Sequence, residues 1–163
     1  MSDAINDVKE FNTAAGLDCS KFDVKKVGLY KGLQLEELIE GLEAIFKNHT
    51  FSNSYGQNVT SVEHDTIVKM KDIMNSFKKG HYDNLIANVD RLELLDSDID
   101  STYVAIGAAF ASGADVEGAW EEIQRSNMSK RNVSTGLMDK DTNGKVIKPS
   151  TYSKPNLTPF IKT

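Results

Sequence analysis

No proline interrupts the chain before Pro149, and the only others are Pro155 and Pro159. Proline removes a backbone donor and collides with the preceding turn, so most of the sequence is free to be helical and only its last segment is barred from it. The apolar residues use that freedom at helical spacing. Residues 3–15 carry Ile5, Val8 and Phe11 and stop at Gly16. Residues 24–47 carry Val27, Tyr30, Leu35, Leu38, Leu42, Ile45 and Phe46, although Gly32 and Gly41 lower helix propensity. Residues 48–59 are polar and read as a loop. Thr60 and Glu63 have capping-box spacing and open a helix over 60–79 with Ile67, Met70, Met74 and Phe77, closed by Gly80. A third long helix is expected over 82–112, from Leu85, Ile86, Val89 and Leu92 to Tyr103, Ile106 and Phe110, closed by Gly113. Asp115 is a good N-cap for a fourth, with Val116, Trp120 and Ile123.

Strand signals are nearly absent before residue 130, so the expected class is all-α. The spacing predicts one domain over 1–163, with a helical-bundle core at about 5–131 and a tail at 132–163. In the tail, Asn143-Gly144 before Lys145-Val146-Ile147 suits a type I′ hairpin turn. The chain beyond it is extended, with Tyr152 and Phe160 placed to pack it onto a surface.

Composition narrows the partners. Acidic residues number 24 and basic residues 19, for a formal charge of -5. A nucleic-acid groove or membrane-surface binder needs a basic excess, so neither partner is expected. No apolar run approaches the ~20 residues that span a bilayer. Met1-Ser2-Asp3-Ala4 does not open a signal peptide, and Cys19, the only cysteine, makes no internal disulfide and no cysteine-based zinc site. A soluble, cytoplasmic protein is expected.

The acids are placed unevenly. Glu36 and Glu40 lie four apart and Glu37 and Glu40 three apart, so their side chains share neighbouring helical turns. Glu93 and Asp96 repeat the three-residue spacing, and Asp100 follows. Such like-charge pairs each cost a helix a few tenths of a kcal/mol. A solvated face is the plain reading of helical acids. Here, however, they are embedded among Leu35, Leu38, Ile39, Leu94 and Leu95, which favours a core-boundary site. Packing two such faces together requires cations, and hard oxygen ligands select Mg²⁺ or, as a substitute, Mn²⁺.

Glu-Glu-x-x-Glu at Glu36–Glu40 and Glu-x-x-Asp at Glu93–Asp96 resemble the signature of the all-α nucleoside triphosphate pyrophosphohydrolases: the MazG-like proteins, dimeric dUTPases and phosphoribosyl-ATP pyrophosphohydrolases. The stretches Val8–Phe11, Gly28–Glu36, Glu93–Gly107 and Arg125–Lys130 are also similar to MazG-like proteins of phage and bacteria. The resemblance implies a four-helix-bundle core and hydrolysis of a (deoxy)nucleoside triphosphate to its monophosphate and pyrophosphate. It implies magnesium on Glu37, Glu40, Glu93 and Asp96, helped by Asp100, with Glu36 holding a further metal or orienting water. Asn127 and Lys130 match positions that reach the phosphates; Lys31 and Tyr103 are further substrate-binding candidates, Tyr103 as an aromatic face for the base. A homodimer or homotetramer in a bacterial or phage-infected cytoplasm is implied as well. Activity on dUTP or phosphoribosyl-ATP, or a non-catalytic helical binding module, are the alternatives. The stretch between Glu40 and Glu93 is longer than in compact relatives, so the base does not carry over.

Other signals are weaker. Asp139-x-Asp141-x-Asn143-Gly144 copies half a calcium loop, but Ser150 stands where its bidentate glutamate belongs. Asn48 and Asn58 head glycosylation sequons with no secretory signal, His49, His64 and His81 lack metal spacing, and Cys19 has no base partner. Phe51 and Tyr55 are possible base-stacking residues, while Trp120 is expected in the core or an interface.

Overall fold

Asp23 accepts a hydrogen bond from the Lys26 backbone N–H at 3.1 Å and starts the longest helix at the position the apolar pattern indicates. The computed structural model describes residues 2–17, 21–46, 62–142 and 144–161. Among them the secondary structure is helical and no strand forms: α1 Ser2–Ala14, α2 Val24–Phe46, α3 Val62–Lys78, α4 Asp83–Ile86, α5 Arg91–Ala111 and α6 Val116–Met128, then a 3-10 turn at Thr158–Phe160. No helix among the described residues is long and apolar enough to cross a membrane. The 48–59 loop, Thr60 of the expected capping box, Cys19, His49, Phe51 and Tyr55 lie outside what is described.

Two helices end as their glycines require. Gly16 and Gly80 have φ of 66° and 75°, a conformation open to glycine without steric cost. In each case the next N–H turns back five residues, Leu17 to Asn12 at 2.9 Å and His81 to Ser76 at 3.0 Å, forming a Schellman cap.

The expected helix over 82–112 is in fact two. Asp90 is extended and its carboxylate accepts from the N–H groups of Leu92 and Glu93 at 2.9 and 3.4 Å, so it begins a new helix rather than continuing the old one. Apolar spacing runs on through Leu85, Ile86, Val89 and Leu92 and hides this break.

The chain forms two compact units, Phe22–Asn88 and Met1–Lys21 with Val89–Thr163. The tail shares a unit with α1.

In the Phe22–Asn88 unit, α2 and α3 pack as an antiparallel pair. Glu36 pairs with Lys78 and Glu43 with Lys71, seven residues apart on each helix and in opposite order. Gly28 and Gly32 are buried at this contact. A Cβ on Gly32 would meet the Lys78 Cγ at 2.6 Å and the Met74 carbonyl oxygen at 3.2 Å, so the close approach depends on its absence. Ile39 and Ile86 supply buried apolar surface.

In the other unit, Ala14, Ala15 and Met138 form a small core against Phe11, Met128 and Val146. Of the expected α1 stripe only Phe11 packs; Ile5 and Val8 are exposed. The Trp120 indole N–H donates to Asp7 Oδ2 at 2.8 Å, tying α6 to α1. The hairpin forms, with Lys140 bridged to Val146. It is not the expected two-residue turn: the Gly144 N–H reaches the Asp141 carbonyl at 3.0 Å with Gly144 at φ 82°, so the loop is longer. Asp141 and Asp139 accept hydrogen bonds from the Lys145 N–H at 2.9 Å and the Asn132 amide at 3.0 Å.

The tail packs along α6, as Tyr152 and Phe160 led one to expect. The buried Ser126 hydroxyl donates to the Ser153 carbonyl at 2.8 Å, and the Ser153 N–H donates to Ser129 Oγ at 2.9 Å. Phe160 lies against Gly118, where a Cβ would stand 2.7 Å from its ring.

Candidate functional site

Helix α2 carries the first acidic motif in its uninterrupted interior. Ile39, 2% exposed, fixes the helix rotation and leaves Glu37 and Glu40 on the exposed side, three residues apart. Glu36 is turned differently. Its carboxylate meets the Lys78 ammonium at 2.9 Å, with side chains only 25% and 18% exposed. Gly32 is the local reason, since its bare backbone lets the Lys78 stem lie on α2 one turn before Glu36.

The second motif follows the Asp90 cap on α5. Glu93, Asp96 and Asp100 are exposed on successive turns. So are their apolar neighbours Leu92, Leu95 and Ile99, Leu92 at 74%. Within its own unit α5 therefore leaves both acids and apolar residues uncovered, and the core-boundary setting expected for Glu93 and Asp96 is not formed there. Tyr103 is 74% exposed on the same helix. Lys31 is half-buried on α2.

Glu36, Glu37, Glu40 and Lys31 thus belong to the Phe22–Asn88 unit, and Glu93, Asp96, Asp100, Tyr103, Asn127 and Lys130 to the other. Among the described residues no three histidine, cysteine, aspartate or glutamate side chains are grouped closely enough to hold a metal ion. The donor chemistry still fits magnesium, since each motif offers hard carboxylate oxygens one turn apart.

Asn127 and Lys130 are brought together. Lys130 Nζ donates to Asn127 Oδ1 at 2.7 Å and lies 5.5 Å from the Phe11 ring centroid and 5.9 Å from that of Tyr152. Two tail residues join them: Lys148, which the sequence did not single out, and Tyr152, expected there only to pack the tail. The Tyr152 N–H bonds the Pro149 carbonyl at 3.0 Å, and this turn folds Lys148 back over the Tyr152 ring, with its Nζ 5.0 Å from the centroid. The Ser126 hydroxyl beside the Tyr152 phenol, then the Lys148, Lys130 and Lys154 cations, hold that phenol below its ordinary acidity range against the opposing effect of burial. The signal was a local one: a tyrosine between two lysines in a proline-bounded stretch, Lys148 to Lys154.

Beside this cluster, Arg125 forks onto Glu122 through Nε at 2.6 Å and Nη2 at 2.8 Å. That fork, followed by the Asn156 backbone N–H at 2.8 Å, holds the Glu122 carboxyl at about 2. Arg125 Nη2 also donates to the Lys154 carbonyl at 3.1 Å, so this ion pair fixes the course of the tail.

Comparison of the chain with protein-family profiles, curated proteins and solved structures returned no match.

Proposed function

We propose that the chain is a magnesium-dependent nucleoside triphosphate pyrophosphohydrolase built on a four-helix core of the MazG-like type. The observation that carries this reading is the pairing of acids on two continuous helices: Glu37 with Glu40 in α2, and Glu93 with Asp96 in α5, each three residues apart and exposed. In the reaction, water attacks the α-phosphorus, the bond to the α–β bridging oxygen breaks, and pyrophosphate leaves from the monophosphate. Glu37, Glu40, Glu93 and Asp96, with Asp100, are the residues that would hold magnesium. When bound, the ion would offset substrate charge, acidify water and stabilise the departing pyrophosphate. Glu36 takes the water-orienting role, its carboxylate positioned by Lys78. Asn127 and Lys130 hold phosphate oxygens, the amide by hydrogen bonding and the ammonium as a point charge. A homodimer or homotetramer in a bacterial or phage-infected cytoplasm belongs to the same reading, supported by the apolar residues that α5 leaves uncovered within its unit.

The test is pyrophosphate release from a panel of canonical and modified nucleotides, dUTP and phosphoribosyl-ATP included, with Mg²⁺ present. Glu40→Gln and Asp96→Asn are expected to abolish release while the far-ultraviolet circular dichroism stays unchanged. Wild-type rates in both variants would remove the metal-site argument. The uncovered apolar face of α5 (Leu92, Leu95, Ile99 and Phe110) favours a second reading, a helical binding module. It gains if nothing in the panel is turned over.

A further inference from the structure

The tail meets α6 through main-chain groups. The Ser153 N–H donates to Ser129 Oγ at 2.9 Å, and the Ser153 carbonyl accepts from the Ser126 hydroxyl at 2.8 Å. The Lys154 carbonyl accepts from Arg125 Nη2 at 3.1 Å, and the Asn156 N–H donates to Glu122 Oε1 at 2.8 Å. At the far end the Asp115 N–H donates to the Phe160 carbonyl at 2.7 Å, and the Phe160 ring lies against Gly118. The α6 partners fall from 129 to 115 as the tail rises from 153 to 160, so the two run antiparallel. With Gly118 among them these partners stand three or four residues apart, which makes them one stripe of the helix.

We propose that residues 153–161 form a releasable strap, which opens from α6 as one unit and covers a stripe of that helix built to bind extended main chain. The chain's own tail is then the ligand of this stripe, held in cis.

Three features give the strap this character. None of residues 150–161 is buried, so little apolar burial opposes its opening, whereas Ser126 beneath it is 3% exposed. Pro155 and Pro159 fix their own φ and hold Lys154 and Thr158 away from helical geometry, and neither stands where α6 takes a donor. A segment stiffened in this way does not keep one bond while its neighbours part, and each bond alone contributes modestly. The stripe also takes backbone atoms, which any extended segment carries, and adds one aromatic anchor at Phe160. Opening therefore leaves Ser129, Ser126, Arg125, Glu122 and the Asp115 N–H in a row with their main-chain partners removed.

Amide hydrogen exchange on the full chain reads the strap at three points: Ser153 at its start, Asn156 in its middle and Asp115 at its end. The three should share one protection, lower than that of the amides inside α6. Phe160→Ala removes the far anchor and should speed all three about tenfold or more, Ser153 included, while the far-ultraviolet circular dichroism stays unchanged. Ser129→Ala should act in the same way from the other end, reaching Asp115. In the Phe160→Ala protein, whose own strap is weakened, a synthetic peptide of residues 150–161 at millimolar concentration should restore the protection of Asp115. The same peptide carrying Phe160→Ala should not.

Faster exchange confined to Asp115 in Phe160→Ala, or to Ser153 in Ser129→Ala, would overturn a strap that moves as one unit. Strap amides as well protected as the interior of α6 would show that the tail leaves only on global unfolding and would rule out its release. Asp115 left unprotected by the wild-type peptide would refute the stripe as a face that binds main chain. None of these outcomes depends on whether the protein hydrolyses a nucleotide.

Discussion

Gly32 and Gly41 lie on the same helix, and alanine at either removes the same propensity penalty, about 1 kcal/mol. Their surroundings differ. A Cβ at Gly41 meets nothing within 4 Å, so Gly41→Ala is expected to keep the whole gain. At Gly32 the added carbon would stand 2.6 Å from Lys78 Cγ and 3.2 Å from the Met74 carbonyl oxygen. Cγ lies near the root of the side chain and cannot swing clear as an ammonium can, and the carbonyl belongs to helix α3. Overpacking of this kind costs about 1–3 kcal/mol, so Gly32→Ala should be neutral to about 2 kcal/mol destabilising once the propensity gain is set against it. The two variants should therefore differ by about 1–3 kcal/mol, which at roughly 2–4 °C per kcal/mol separates their thermal midpoints by at least ~2 °C. Urea unfolding followed by circular dichroism measures the same difference. Adding Lys78→Ala to Gly32→Ala removes the 2.6 Å contact, so the pair should couple favourably in a double-mutant cycle. A Gly32→Ala protein as stable as Gly41→Ala would refute the close packing of α2 on α3, and with it the account of how Lys78 reaches Glu36.

Asp90→Ala should cost about 1 kcal/mol, because the N–H groups of Leu92 and Glu93 lose their acceptor. Faster amide exchange confined to the first turn of α5 is the expected sign, and unchanged exchange at Leu92 and Glu93 would count against the cap. The second prediction concerns acid. Since the Glu122 carboxyl titrates at about 2 in place of 4.5, its pairing stabilises the folded tail fully above 4.5 and is lost as pH falls toward 2. Carboxyl NMR shifts of Glu122 should show that low midpoint, with faster Asn156 amide exchange below it; a midpoint near 4.5 would refute the fork with Arg125.

The helical class was legible because the absence of proline and the apolar spacing act locally, residue by residue. Helix α2 begins where the spacing places it, and every described residue of the expected 24–47 span, Val24–Phe46, is helical. The break before α5 was not legible in periodicity, because Val89 and Leu92 keep helical register on both sides of it. The mark it does leave is chemical: Asn88 and Asp90 both prefer to bond nearby backbone groups rather than continue a helix. The Asn88 amide does so, to the Asn84 carbonyl at 2.8 Å, and Asp90 does so forward as a cap. Gly32 misled in the opposite sense. Propensity counts it as a cost to α2, whereas its effect lies in the neighbouring helix that comes close because no side chain is there.

The candidate site divides in the same way. Acids three apart on a helix are legible as pairs, because 3.6 residues per turn brings them together wherever the helix lies. The cations round Tyr152 are not periodic. Lys130 reaches them from the end of α6 and Lys148 through a proline-set turn, and the hydroxyls of Ser126 and Ser129 join the two segments. Handling a polyanion requires both kinds of group, carboxylates to hold cations and ammoniums to take phosphate oxygens. A charge of -5 averages them into a modest acidity in which neither can be seen. Within one unit, Glu93, Asp96 and Asp100 stand exposed on α5 while the ammoniums of Lys130 and Lys148 lie 5.9 and 5.0 Å from the Tyr152 ring centroid, two local settings that a net figure cannot separate and that only the fold brings out.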